Sequence, residues 1–471
     1  MKKVIRGGTI VTATDTVQAD VLIDGESVAA IGSFDGVDAE PIDATGCYVL
    51  PGLIDNHTHL SMPFGGTWTN DDYNTGTQAA AAGGVTCLVD FALQMHPGGL
   101  RSSLEEWQGR AEGAAHVDYG FHMAITKADD GTFADMQAMV DEGVSTFKVF
   151  LAYRGALMVT DDLFLATLYR TKETGGLVMV HAENGDGIDY LVKKALAQGN
   201  TDPIYHALTR PEEFEAEATG RAIRLAEYAG TPIYIVHVSC KRAADEIIAA
   251  RARGVPAYAE TCIQYLVTSI EDLKRPDFEG ARYVCSPPLR EEWNQEHVWN
   301  ALIYDHLQSI STDHCPFTDE QKRLGYGDFS KIPNGLACIQ HRLALLWEHG
   351  VREGRISPNR LVEVTTTAIA NNFGLHPKKG TISPGADADI VIFDPNRQFT
   401  FSTETSLMNV DYDLFDGKTV AGSARTTLSR GTVVFDDGRI LTQPGHGRFV
   451  KRSTFDPANQ GNVPLGVPVA G

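Results

Sequence analysis

The chain has 471 residues, 43% of them hydrophobic, and its 40 Lys+Arg against 61 Asp+Glu leave a formal net charge of −21. That much apolar sequence buries a large core and excludes general disorder. The acidic balance excludes a surface built to bind nucleic-acid phosphates, which needs clustered Lys and Arg.

In chain order, residues 1–46 read as short strands broken by Gly and Asp: Val4-Ile5, Thr9–Thr12, Ala19–Ile23 and Val28–Ile31. The pattern then changes to apolar runs alternating with stretches of helical composition. The runs are Cys47–Ile54, Val85–Phe91, Tyr119–Ile125, Ser145–Leu151, Leu177–His181, Ile233–Val238, Val255–Glu260 and Gln308–Asp313. Helices are expected between most of them, for example over Asp161–Glu173, Glu212–Ala229 and Ala243–Arg253. Eight buried-type strands with helical crossovers predict an α/β fold, a (β/α)8 TIM barrel over residues 51–375. From about residue 380 short strands return, at Ala388–Phe393 and Thr432–Phe435, so residues 1–50 and 376–440 are assigned to one small β-sandwich domain built from both chain ends. Residues 441–471 are poor in core-forming periodicity and are expected to form an arm at an oligomer interface.

The seven cysteines are Cys47, Cys87, Cys240, Cys262, Cys285, Cys315 and Cys338, none closer than 22 positions to the next. They form no CxxC pair, and an odd count suits no closed disulfide framework. They fit a reducing compartment. The N-terminal Met1-Lys2-Lys3-Val4-Ile5-Arg6 breaks its apolar run too early for a signal peptide, and no stretch approaches a membrane span of about 18 apolar residues. A cytoplasmic protein with no membrane or nucleic-acid partner is expected.

Several barrel runs end in metal-ligand types. The first leads into Asp55-Asn56-His57-Thr58-His59, where His57 and His59 are two apart and share one face of a strand. Others end in His181, His237 and Asp313. In a barrel all these ends converge on the C-terminal face, where such folds place their chemistry. Lys148 sits in the middle of the apolar Phe147-Lys148-Val149-Phe150. A lone buried ammonium is costly and sheds its proton readily. Addition of CO2 turns it into a carbamate, N6-carboxylysine, an anionic oxygen donor able to bridge two divalent ions. One buried histidine is usually a hydrogen-bonded core residue, but four His, one Asp and one Lys at corresponding strand positions are not explained that way. His96, His116, His122, His206, His314 and His341 have no such placement and are read as structural or solvated.

The pattern resembles the amidohydrolase superfamily, and within it the dihydropyrimidinase and D-hydantoinase branch, over essentially the whole chain. The resemblance is carried by Pro51–Asp55 with His57-Thr58-His59, Met62–Thr67, Phe147–Tyr153, His181–Gly185, Asp202–Leu208, Ser286–Arg290, Thr312–Cys315, Ile332–Gly335, Gly385–Asp389 and Pro444–Phe449. It implies two divalent metal ions, Zn2+ with Mn2+ or Co2+ as alternatives. His57, His59 and Asp313 would hold one, His181 and His237 the other, and carbamylated Lys148 would bridge them. It further implies that Tyr153 stabilises an oxyanion, that Ser286 and Asn334 hold the ring amide, and that Asp313 moves the proton. The expected reaction is hydrolysis of the cyclic amide of 5-monosubstituted hydantoins or 5,6-dihydropyrimidines to N-carbamoyl amino acids by a metal-bridging hydroxide. Met62, Phe64, Phe150 and Leu157 are read as the apolar wall that selects the substituent, and a homotetramer, a dimer of dimers, is implied.

Asn56 and Ser61 stand where relatives commonly carry Pro and Asp. Neither is a ligand position, but Ser61 adjoins the loop expected to face the substrate's exocyclic group. An allantoinase-like ureide hydrolase is the nearest alternative. A dihydroorotase is disfavoured because Ser61 occupies the place of its carboxylate-binding Arg. A non-catalytic dihydropyrimidinase-related interaction protein would have lost ligands, and all six are here.

Overall fold

The computed structural model describes residues 2–94, 99–127 and 129–459. His96 lies outside them. Eight strands form one parallel sheet in which each pairs with its sequence neighbour: β1 (Leu53–Thr58), β2 (Val85–Leu93), β3 (Asp118–Ala124), β4 (Thr146–Phe150), β5 (Leu177–His181), β6 (Ile233–Ile235), β7 (Ala257–Cys262) and β8 (Ser309–Ser311). Every strand residue is buried, as expected where helices cover one face of a parallel sheet and the barrel interior the other. Helices Asp161–Thr174, Glu212–Ala229 and Lys241–Ala252 fall where the pattern placed them.

The barrel closes between β8 and β1. Thr58 bridges His314 in parallel, and the His59 N–H donates to the His314 carbonyl at 2.8 Å. Deeper in the seam the fully buried Arg342 donates to the carbonyls of Ile310 (2.8 Å) and Ile54 (2.9 Å), one from each strand. Its guanidinium does there what ladder hydrogen bonds do elsewhere in the sheet.

The predicted run Cys47–Ile54 divides in two. Tyr48–Pro51 belongs to the small domain, antiparallel to Ile390–Thr400, and β1 begins at Leu53. Gly52 makes the join, since a Cβ there would lie 2.2 Å from Thr86 Oγ1. The small domain packs a four-stranded sheet from the N-terminal region against a seven-stranded sheet from both ends. Ile5, Val21, Ile23, Val49, Ile390, Ile392 and Leu428 lie in the core between them.

A buried ionic cluster docks this domain on the barrel. Lys379 Nζ lies 2.7 Å from Asp118 and Asp389 and 3.0 Å from Asp387, while Arg430 also pairs with Asp118, the first residue of β3. The arm, as far as Asn459, packs on its own barrel: Val450 N–H donates to the Tyr119 carbonyl (2.7 Å) and Arg452 N–H to that of Gly143 (3.0 Å). Residues 460–471, and any contact they make, lie outside the described residues. Among the described residues all seven cysteines are buried and free, and no helix is long and apolar enough to cross a membrane.

Candidate metal centre

The strand ends bring the six ligand-type residues together. His57 Nε2 lies 3.0 Å from Lys148 Nζ and 3.2 Å from Asp313 Oδ1, and His59 Nε2 lies 3.1 Å from the same carboxylate oxygen. His181 Nδ1 and His237 Nε2 are 2.8 Å apart, and the His57 and His237 rings face each other at 5.4 Å between centroids. Three residues of the centre and its rim hold backbone conformations disfavoured for side-chain-bearing residues: His237 (φ 43°), Asp313 (φ 49°) and Tyr153 (φ 64°). Each costs on the order of 1–3 kcal/mol, and such outliers gather at functional sites. The first two follow β6 and β8 by two residues.

Two buried carboxylates set which ring nitrogens face inward. Glu260 Oε1 accepts from His57 Nδ1 at 2.5 Å, and Glu183 Oε2 accepts from His181 Nε2 at 2.8 Å. On this hydrogen-bond pattern His57 Nε2 and His181 Nδ1 carry lone pairs that point into the centre. Burial pushes the pKa of His57 and His237 well below the usual imidazole value and that of His59 below it too, which favours the neutral, ligating form. For Asp313, burial opposes ionisation, but His57 and the His59 hydrogen bond outweigh it and hold the carboxyl at about 2. Among the described residues, buried His59 Nδ1 and His237 Nδ1 have no hydrogen-bond partner. Lone pairs converging at these distances with a carboxylate beside them form a donor set for divalent cations of the zinc type. Lys148 lies within it, 4.1 Å above the Phe91 ring, with burial bringing its pKa down to about 8.

Glu260, Glu183, Asn56 and Tyr234 were not singled out as site residues from the sequence. Asn56 Nδ2 donates to Glu260, and so does the Tyr234 hydroxyl at 3.1 Å. Glu260 closes an apolar run just as the ligands do, which is the signal that could have found it. Glu183 follows His181 by two positions inside a quoted motif. Because Glu260 fixes the His57 tautomer, Glu260→Gln is expected to weaken metal retention about 10–100-fold. Competition with a chelator measures this, and unchanged retention would discard the orienting role.

The centre opens on a cavity of about 40 Å3 lined by Met62, Phe64, Phe150 and Leu157, the four wall residues expected from sequence, together with Tyr153, Ser286 and Asn334. Leu93, the last residue of β2, also lines it and was not anticipated, and Cys315 lines it beside Asp313. Tyr153 lines the cavity together with Ser286 and Asn334, and Asn334 Nδ2 donates to Ser286 Oγ at 3.1 Å. Burial raises the Tyr153 pKa, so the phenol keeps its proton at neutral pH. Beyond Phe64 and Tyr153 the cavity widens into a vestibule of about 890 Å3 walled by Trp68, Arg210 and Lys331. Ser61, itself at φ 49°, does not line the cavity; its carbonyl accepts from Arg110 Nη1 at 2.7 Å.

Of the histidines read as structural, His116, His122, His314 and His341 are buried with partners elsewhere. His206 instead reaches the site, with Nε2 3.2 Å from Ser286 Oγ. Asp118, Asp387 and Asp389 form a second cluster of buried carboxylates, but the Lys379 ammonium fills it.

The model of the amidohydrolase family matches residues 48–420. The chain is 52% identical to a D-hydantoinase of Geobacillus stearothermophilus over 97% of both chains. It is 40% identical to a dihydropyrimidinase of Arabidopsis thaliana, covering 96% of this chain and 85% of that one. A crystal structure of a dihydropyrimidinase from Brevibacillus agri NCHU1002 superposes with a TM-score of 0.96 at 55% identity, covering 97% of this chain and 100% of the other.

Proposed function

Because the chain belongs to the amidohydrolase family, we propose that it hydrolyses the cyclic amide bond of 5-monosubstituted hydantoins and 5,6-dihydropyrimidines to give N-carbamoyl amino acids. The observation that carries the reading is the donor set of His57, His59, Lys148, His181, His237 and Asp313 at the floor of a cavity whose wall holds Tyr153, Ser286 and Asn334.

His57, His59 and Asp313 would hold one divalent ion and His181 and His237 a second, with Lys148, carbamylated by CO2, offering oxygens to both. Zinc suits this donor set, with manganese or cobalt as substitutes. Such ions supply Lewis acidity to a carbonyl oxygen and acidify water to a pKa of about 7. Ser286 and Asn334 hold the ring amide, largely through backbone groups. The protonated Tyr153 phenol donates to the oxygen on which negative charge develops as water adds to the ring carbonyl carbon. Asp313, ionised and inside the cavity, takes the proton released from that water and returns it to the ring nitrogen as the C–N bond breaks. One water is consumed, and the single ring-opened product carries both a carboxylate and a terminal carbamoyl group. Met62, Phe64, Phe150 and Leu157 meet the 5-substituent and set its preferred size and hand.

Steady-state rates on dihydrouracil, hydantoin, D- and L-5-phenylhydantoin and allantoin, with metal-replete enzyme and a chelated control, test the proposal. Turnover of dihydrouracil, of the hydantoins or of both is expected, lost on chelation. Inactivity on all of them, or a preference for allantoin, would overturn it. Tyr153→Phe is expected to lower kcat about 10²–10³-fold, as for loss of one oxyanion donor, with metal content unchanged by elemental analysis. An equal rate with Phe would remove Tyr153 from the mechanism. The homotetramer and cytoplasmic location remain part of this reading, and light scattering at working concentration decides the first.

A further inference from the structure

One short turn at the cavity rim holds three loops at once. Thr318 caps it reciprocally with Gln321, and Asp319 is paired with Arg282 (2.8 Å) and Arg323 (2.6 Å). Its last two residues point inward. Gln321 Nε2 donates to Thr67 Oγ1 (2.9 Å) and to the Trp68 carbonyl (2.7 Å), in the hairpin that carries Phe64. Lys322 is fully buried, and its Nζ donates to three backbone carbonyls: Gly335 at 2.7 Å, Pro333 at 2.8 Å and Val284 at 3.0 Å.

The identity of those acceptors matters. Val284 stands two residues before Ser286, while Pro333 and Gly335 bracket Asn334. The Gly335 N–H also donates to the Val284 carbonyl at 2.9 Å, so the two loops are tied by their own backbones as well. Among the described residues no carboxylate lies within ion-pair distance of Lys322. Its other neighbours are the Phe317 ring at 5.6 Å and the thiols of Cys285 and Cys315. An ammonium taken out of water without a counter-ion is expensive. Burial brings the Lys322 pKa down to about 7, but three carbonyl acceptors match the three N–H donors of an ammonium, where a neutral amine has only two, so charge-assisted bonds to the substrate loops favour the protonated form.

We infer that Lys322 is a positioning residue for ring recognition: its buried ammonium pins Val284, Pro333 and Gly335 so that Ser286 and Asn334 meet the cyclic amide at a fixed spacing. The inference rests on the function proposed above. It assigns Lys322 no contact with substrate or metal.

Two variants test it. Lys322→Met keeps the stem and removes the charge, and Lys322→Ala leaves a space lined by the three carbonyls. For Lys322→Met the KM for dihydrouracil should rise about tenfold or more while kcat changes little, the signature of lost uniform binding. Metal content should stay at the wild-type level. In Lys322→Ala, n-propylammonium should lower KM again and n-propanol should not. Three results overturn the inference: a wild-type KM in soluble Lys322→Met, a fall in activity that tracks lost metal, or equal rescue by propanol. Failure of both variants to fold, with propylammonium giving no recovery, also overturns it by assigning Lys322 to stability alone. If the wild-type protein hydrolyses no cyclic amide, the proposed function fails by itself. Calorimetric binding of an N-carbamoyl amino acid then still compares wild type with Lys322→Met.

Discussion

Lys148→Met is expected to lower kcat/KM by about 10³-fold or more and to leave the protein folded but short of metal. Lewis-acid stabilisation by bound ions is worth several kcal/mol, and each 1.36 kcal/mol is tenfold in rate. The side chain is nearly isosteric and its surroundings are the rings of Phe91 and Phe150, so packing changes little. What would be lost is the anionic oxygen pair that the proposed carbamylation adds between two groups of imidazoles. In Lys148→Ala, a short carboxylic acid diffusing into the vacated space should restore part of the activity, because it brings those oxygens back.

The sign of the pH effect follows from the amine. CO2 adds only to the neutral amine, and burial brings the Lys148 pKa down to about 8. At a fixed concentration of dissolved CO2, reactivation of stripped enzyme by metal should therefore quicken as pH rises towards about 8 and level off above it, and enzyme prepared with carbon-13 bicarbonate should show a carbamate carbon. Full activity and full metal content in Lys148→Met would remove the lysine from the centre. Retained activity with no carbamate signal in the wild type would remove only the modification.

The proposed ligands were legible in the sequence because each ends or interrupts an apolar run with a residue that has no packing reason to be there. Lys148 within Phe147–Phe150 is the clearest case. Period-two spacing placed His57 and His59 on one side, and the rings stand 5.3 Å apart. Of the wall residues, Met62, Phe64 and Phe150 lie within the family motifs and Leu157 outside them. What stayed hidden was long-range pairing. Glu260 meets His57 across 203 positions, and Lys379 meets Asp118 across 261. A buried charge in sequence carries no mark of its partner. The division of Cys47–Ile54 stayed hidden for another reason: both of its strands are apolar, and only the close approach of Gly52 to Thr86 separates them. Nothing in the polar segment Thr318–Arg323 marks Lys322 apart from its neighbours, and it is buried with its amine on three carbonyls.

The largest effect on stability is expected at Lys379, far from the chemistry. Its ammonium is the shared counter-ion of Asp118, Asp387 and Asp389, and side-chain exposure of all four is at most 9%. Lys379→Met leaves buried carboxylates with fewer cations, Arg430 remaining beside Asp118. Breaking a buried ionic network from one side costs about 3–5 kcal/mol, a large share of a typical margin of about 5–15 kcal/mol. Adding Asp387→Asn and Asp389→Asn to Lys379→Met should recover part of the loss, because neutral amides do not need the cation. Burial alone would lower the Lys379 pKa, but Asp389 and Asp387 outweigh it and hold it above the usual lysine value. A raised pKa means that this contribution is fully present below the unfolded lysine value of about 10.4 and is lost as pH rises through the folded one. The wild type should therefore lose its advantage over Lys379→Met only in strong alkali. Denaturant midpoints and unfolding rates at neutral and alkaline pH measure this. A neutral-pH difference below about 1 kcal/mol, within the range of ordinary surface changes, would mean that the cluster does not hold the small domain on the barrel. Because Lys379 touches neither ligands nor cavity, the folded variant should keep its metal and its kcat, which separates docking of the domain from assembly of the centre.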